Sequence, residues 1–187
     1  LQQLEIEECH LVGWSMGSAV ALAVSNKKQN LIKKLVLITP FSWLGGAVYK
    51  DKLAFKAFVS FVRIRERLFP NLNPQSKFSF LKKSNAIKDE YTDWAWNNLH
   101  KHKDDFIYED GGRFVVPYDA RPWLENIKSQ TLVITGGKDR LVPEETSNDV
   151  IDRLENVSSI VFKDAGHSVP WTHAEELINS IEEFITS

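Results

Sequence analysis

Cysteine and methionine are almost missing from this 187-residue chain, which has one of each, Cys9 and Met16. A lone cysteine excludes a disulfide framework and a cysteine-ligated metal site, and it fits a reducing compartment. Neither sign of charge dominates. The 23 basic and 25 acidic side chains leave a formal charge of −2, which argues against nucleic acid as a partner for the whole surface. A positively charged leader is also lacking, since Glu5, Glu7 and Glu8 give the first residues the opposite sign. The longest uncharged run, residues 9–26, matches a membrane span in length. It holds His10, Ser15, Ser18 and Ser25, and its glycines are spaced as a turn, so it reads as a buried strand, a turn and a helix. The expectation is a cytoplasmic protein with neither a membrane nor a nucleic-acid partner.

What the chain does have is 43% hydrophobic residues arranged in short apolar runs. Runs at 9–14, 35–39, 131–135 and 159–162 read as buried strands. Helical patterns interleave with them. Residues 17–28 are apolar nearly all round, which suits a helix buried against a sheet. Residues 143–154 open on a proline followed by Glu144 and Glu145, with Val150 and Leu154 on one face. The last pattern starts from a capping box, Thr172 to Glu175, and continues with Leu177, Ile178, Ile181, Phe184 and Ile185. His10 falls on the first strand as a core histidine, and His173 falls in the first turn of the last helix. Alternating strands and helices predict an α/β fold, a parallel sheet with flanking helices and right-handed crossovers.

Between the second and third strands lie about 80 residues, where two to six is usual. Of the 21 aromatic residues, 17 fall between Phe41 and Trp123. One helical stripe runs through Phe55, Phe58, Val59 and Val62, and a second helix is expected over 89–103. This stretch is read as a helical lid. The organisation is then core over 1–40, lid over 41–122 and core again over 123–187.

The strongest chemical signal is Gly13-Trp14-Ser15-Met16-Gly17, placed where a strand ends and a helix begins. Small residues let the chain turn sharply enough to throw a serine hydroxyl clear of the backbone. A serine is a weak nucleophile alone and needs a base, itself oriented by a third group. Asp139 follows the third strand in Gly136-Gly137-Lys138-Asp139, and His167 follows the fourth in Asp164-Ala165-Gly166-His167. Parallel strands bring their carboxyl ends to one edge, so Ser15, Asp139 and His167 can converge there. His100 and His102 face different sides of one helix, which is no metal pair. Asp110-Gly111-Gly112 reads as a plain turn.

In these elements the chain resembles the α/β-hydrolase superfamily over essentially its whole length. The resemblance implies that Ser15 is the nucleophile, His167 the general base, Asp139 the orienting acid, and the Met16 backbone N–H an oxyanion donor. It implies no cofactor and no metal. Family members have about eight strands, with the nucleophile after the fifth. Here it follows the first visible strand. The chain is therefore read as the C-terminal half of a hydrolase, without the early strands and the loop carrying the second oxyanion donor. Its first strand is expected to be covered by the missing N-terminal half or by another chain.

The leading expectation is cleavage of a carboxylic ester through an acyl-enzyme. A C–C bond hydrolase or an acyltransferase would use the same three residues, and a catalytically silent binding module is the non-enzyme alternative. Trp14, beside the nucleophile, is the residue expected to touch substrate. The segment from Lys50 to Lys83 holds nine basic and two acidic residues, a charge that would suit a small-molecule ester linked to an acidic carrier, or a phosphorylated thioester. With Gly13-Trp14-Ser15 and Ala165-Gly166-His167, it makes the chain similar to the biotin-pathway esterases that demethylate a pimeloyl carrier-protein ester.

Overall fold

The computed structural model describes residue 3, residues 5–44 and residues 117–187. Its strands are β1 (Cys9–Trp14), β2 (Ile32–Ile38), β3 (Gln130–Gly136) and β4 (Val157–Phe162). The helices are α1 (Met16–Lys27), α2 (Glu144–Arg153), the single turn α3 (Val169–Thr172) and α4 (Ala174–Thr186). Among the described residues the sheet has the order β1-β2-β3-β4, and every neighbouring pair runs parallel. The expected α/β architecture is what the chain adopts.

Side-chain alternation along β2 divides the core in two. Leu35 and Leu37 face α1 and α2 in one cluster with Leu22, Val133 and Val150. Val36 and Ile38 face the other way, clustering with Leu132, Ile134, Val169 and Leu177. A strand covered on both faces needs apolar residues at every position, which explains the unbroken run Leu35-Val36-Leu37-Ile38. Lys34 precedes that run and is 7% exposed. Its ammonium donates to the Phe184 carbonyl at 2.7 Å, placing a cation at the C-terminal end of α4, which has no basic residue in its own last turn.

The ends of the long connection lie side by side. Trp43 pairs antiparallel with Asp119, and the Ala120 N–H donates to the Ser42 carbonyl at 2.7 Å. Arg121 grips Asp119 through Nε and Nη2 at 2.8 and 2.6 Å. Those hydrogen bonds hold the Asp119 carboxyl below its ordinary range. The Arg121 guanidinium also sits 4.6 Å from the centre of the Trp43 ring. Residues 45–116 of the expected lid, with the helices expected within it, the basic segment, the His100–His102 pair and the Asp110 turn, lie outside the described residues.

On β1, the end strand of the described sheet and the one expected to be covered by the missing half, His10 is exposed and Val12 on the same face is 48% exposed. Three local expectations need correction. The helix after the elbow buries only part of its girth. Ala19, Ala21 and Leu22 are covered, whereas Val20 is 48% exposed. The capping box does not form: α4 has His173 as its N-cap with no side-chain cap, since a separate turn, α3, starts directly after Ser168. The Thr172 hydroxyl donates back to the Ser168 carbonyl at 3.2 Å, and its oxygen accepts no leading N–H of α4. Within α4, Leu177, Ile181 and Phe184 form the packed face, and Ile178 is 53% exposed.

Two glycines are dictated by close backbone approach. A Cβ on Gly13 would lie 2.4 Å from the Gly17 carbonyl oxygen, and one on Gly136 would lie 2.3 Å from that of Gly166. At Gly17 a Cβ meets nothing within 4 Å. We expect Gly136→Ala to lower unfolding free energy by about 2–3 kcal/mol, through backbone displacement that a packed core resists. Gly17→Ala should be neutral or slightly stabilising, as alanine is the better helix former. Urea titration of the two variants side by side checks the contrast, and equal losses would contradict it.

Candidate active site

The turn joining β1 to α1 is a single residue. Ser15 has φ 54° and ψ −121°, a backbone conformation costly for any residue with a Cβ and a recurrent feature of working sites. Three hydrogen bonds hold it there. The Ser15 N–H donates to the Ile38 carbonyl at 2.9 Å, which ties the turn to the end of β2. The Ser15 carbonyl accepts the Ser18 N–H at 2.9 Å and the Ser18 hydroxyl at 2.5 Å. Ser18 is fully buried, so its hydroxyl serves this backbone contact rather than solvent. In the sequence Ser18 stands out only as a polar residue of the uncharged run 9–26; its role in pinning the turn emerges from the geometry.

The acid and histidine loops are built on each other. The Gly137 N–H donates to the Phe162 carbonyl at 2.9 Å, and the Lys138 N–H donates to the Ala165 carbonyl at the same distance. Above them Lys138 Nζ pairs with Asp164 at 2.8 Å. That ion pair keeps the Asp164 carboxyl below its ordinary range, but it is exposed and contributes little to stability.

Asp139 is placed by its own loop. Its Oδ1 accepts the N–H groups of Leu141 and Val142 at 2.8 and 3.1 Å. Its Oδ2 faces His167 Nδ1 at 2.8 Å, with the Asp139 and His167 side chains only 8% and 13% exposed. A carboxylate already accepting two amides fixes the imidazole tautomer, so Nδ1 carries the proton and Nε2 is left to accept. His167 Nε2 stands 2.8 Å from Ser15 Oγ. The structure thus brings together the three residues singled out in the sequence, from positions 152 and 28 residues apart.

Met16, the first residue of α1, is 41% exposed. Its N–H is one of the leading amides that a helix leaves without an intrahelical acceptor, beside the positive end of the helix dipole. Trp14 turns toward the histidine loop. Its indole N–H donates to the His167 carbonyl at 3.0 Å, and its ring meets Trp171 edge to face at 4.4 Å. Trp171 was not singled out from sequence, though a second tryptophan four residues after the histidine was the available signal. Among the described residues no group of three or more His, Cys, Asp or Glu could hold a metal ion, and no helix is long and apolar enough to cross a membrane.

Comparison with known proteins bears on the fold. The family model for the alpha/beta hydrolase fold matches residues 1–174. A 2-hydroxy-6-oxo-6-phenylhexa-2,4-dienoate hydrolase of Burkholderia cepacia is 28% identical over 100% of this chain and 66% of its own length. A 2-hydroxy-6-oxononadienedioate/2-hydroxy-6-oxononatrienedioate hydrolase of Comamonas testosteroni is 27% identical over 98% of this chain and 65% of its own. The chain therefore spans about two thirds of the length of these curated relatives. Among solved structures, an esterase from Exiguobacterium antarcticum superimposes with a TM-score of 0.76 at 22% identity, covering 100% of this chain and 69% of the esterase. That likeness concerns the fold.

Ser18→Ala should reduce unfolding free energy by about 1 kcal/mol, the usual net worth of one hydrogen bond. Replacing Lys138 with alanine should leave thermal stability nearly unchanged, because its ion pair is exposed. Thermal melts of both variants check the ranking; a larger loss at Lys138 than at Ser18 would reverse it.

Proposed function

Because this chain belongs to the α/β-hydrolase fold family, we propose that it carries the catalytic triad of a serine hydrolase that cleaves a carboxylic ester through an acyl-enzyme. The observation that carries the reading is the continuous chain Ser15 Oγ, His167 Nε2, His167 Nδ1, Asp139 Oδ2, with both links at 2.8 Å. In this scheme His167 takes the Ser15 proton as Oγ bonds to the carbonyl carbon. Asp139 stabilises the resulting imidazolium without itself being protonated. The Met16 N–H receives the developing oxyanion. The tetrahedral adduct collapses, His167 returns the proton to the departing alkoxide, and the acyl group stays on Ser15. Water then attacks with His167 again as base, releasing the acid and restoring the serine.

A second reading comes from the curated relatives. The compounds in their names carry a 6-oxo group and no ester, so hydrolysis there must break a carbon–carbon bond next to the ketone. The same serine attack would serve, with the departing electron pair held as an enolate and the His167 proton delivered to carbon. Activity and substrate belong to the whole protein, and either reading is compatible with the same three residues.

The two readings separate on substrates. A set of p-nitrophenyl esters and 2-hydroxy-6-oxo-6-phenylhexa-2,4-dienoate should be tested in parallel, with turnover followed by absorbance. Ester hydrolysis without dienoate cleavage supports the leading reading, and the reverse pattern supports the second. In either case Asp139→Asn should lower kcat by about four orders of magnitude. Asparagine keeps an oxygen for the Leu141 and Val142 amides but presents an NH2 to Nδ1, forcing the proton onto Nε2. Turnover that persists undiminished in this variant contradicts the triad.

A further inference from the structure

We propose that Trp14 is a positioning residue for the base, an inference that rests on the hydrolase reading above. The residue preceding the nucleophile holds the main chain of His167, while Asp139 holds its side chain. The sequence pointed to Trp14 as a substrate contact because it adjoins Ser15. Its surroundings point elsewhere. The indole N–H donates to the His167 carbonyl at 3.0 Å across 153 residues of sequence. The ring lies 5.6 Å from the imidazole at an interplanar angle of 40°. Trp171, on the short helix that follows His167, closes on it edge to face at 4.4 Å and 72°. Trp14 also packs on the core cluster containing Ile38, Ile134 and Val169.

The main chain of Trp14 is itself fixed, since it sits opposite Ile38 in the parallel pairing of β1 with β2. A rigid strand therefore reaches the base directly. Residue 14 grips the backbone of His167, and residue 15 meets its side chain at 2.8 Å. The other flank of the loop is anchored by the Lys138 N–H on the Ala165 carbonyl at 2.9 Å. Without the indole, the His167 carbonyl loses its partner on the nucleophile side, and the imidazole samples positions away from Ser15. Proton transfer falls steeply with such displacement, because about 1 Å of misplacement can lower a rate about a hundredfold.

Trp14→Phe keeps an aromatic ring and removes the donor. The expected result is a fluorophosphonate labelling rate at Ser15 reduced about tenfold or more, with faster amide hydrogen exchange confined to residues 165–172. For ester turnover kcat should fall while KM stays within about twofold, as befits a group that acts through the base. If KM rises and kcat holds, Trp14 is a substrate contact and the proposal is overturned. Equal labelling and equal exchange in the two proteins also overturn it. The unmodified protein offers a check free of any folding defect in the variant: its Trp14 indole proton should be protected from solvent exchange, and free exchange contradicts the contact. Unmodified protein that is not labelled at all overturns the hydrolase reading itself. Labelled unmodified protein with an equally reactive Phe variant overturns only the role of Trp14.

Discussion

The acid loop after β3 and the histidine loop after β4 touch backbone to backbone, and the site depends on that contact. No side chain separates them where Gly136 faces the Gly166 carbonyl, a gap that a single added carbon would close to 2.3 Å. The amides of residues 137 and 138 donate across the same seam. Because the loops are one unit, a carboxylate and an imidazole that follow two neighbouring strands are held at 2.8 Å without support from a long side-chain network. The exposed Lys138–Asp164 pair lies over this seam and does not create it.

Strain enters on the nucleophile side. Ser15 occupies a positive-φ conformation that β2, through the Ile38 carbonyl, and Ser18, through its N–H and hydroxyl, keep in place. Rigid parallel strands supply the anchor points, and their carboxyl ends are where an α/β sheet gathers its working groups. The geometry is preorganised, since tautomer, base and nucleophile are aligned before any substrate arrives.

The fold could be read from residues whose chemistry is local. Unbroken apolar runs such as Leu35-Val36-Leu37-Ile38 announce strands buried on both faces, and the elbow, acid and histidine motifs each follow a strand directly. Placing three such motifs at strand ends in a parallel sheet already predicts their convergence. What escaped were features set by packing partners distant in sequence. Thr172 and Glu175 have capping-box spacing, but Ser168 starts a turn earlier and claims the threonine hydroxyl. The relation of Trp14 to Trp171 and to the His167 carbonyl depends on tertiary contact across more than 150 residues, which periodicity cannot report.

The central claim is that Ser15 is a nucleophile activated by His167 and Asp139. Mass spectrometric peptide mapping after exposure to a fluorophosphonate tests it most directly. One phosphonyl adduct per chain is expected, confined to the peptide containing Ser15, and it should disappear in His167→Ala with the fold retained. An adduct on another residue, or one on Ser15 that forms equally fast without His167, would contradict it.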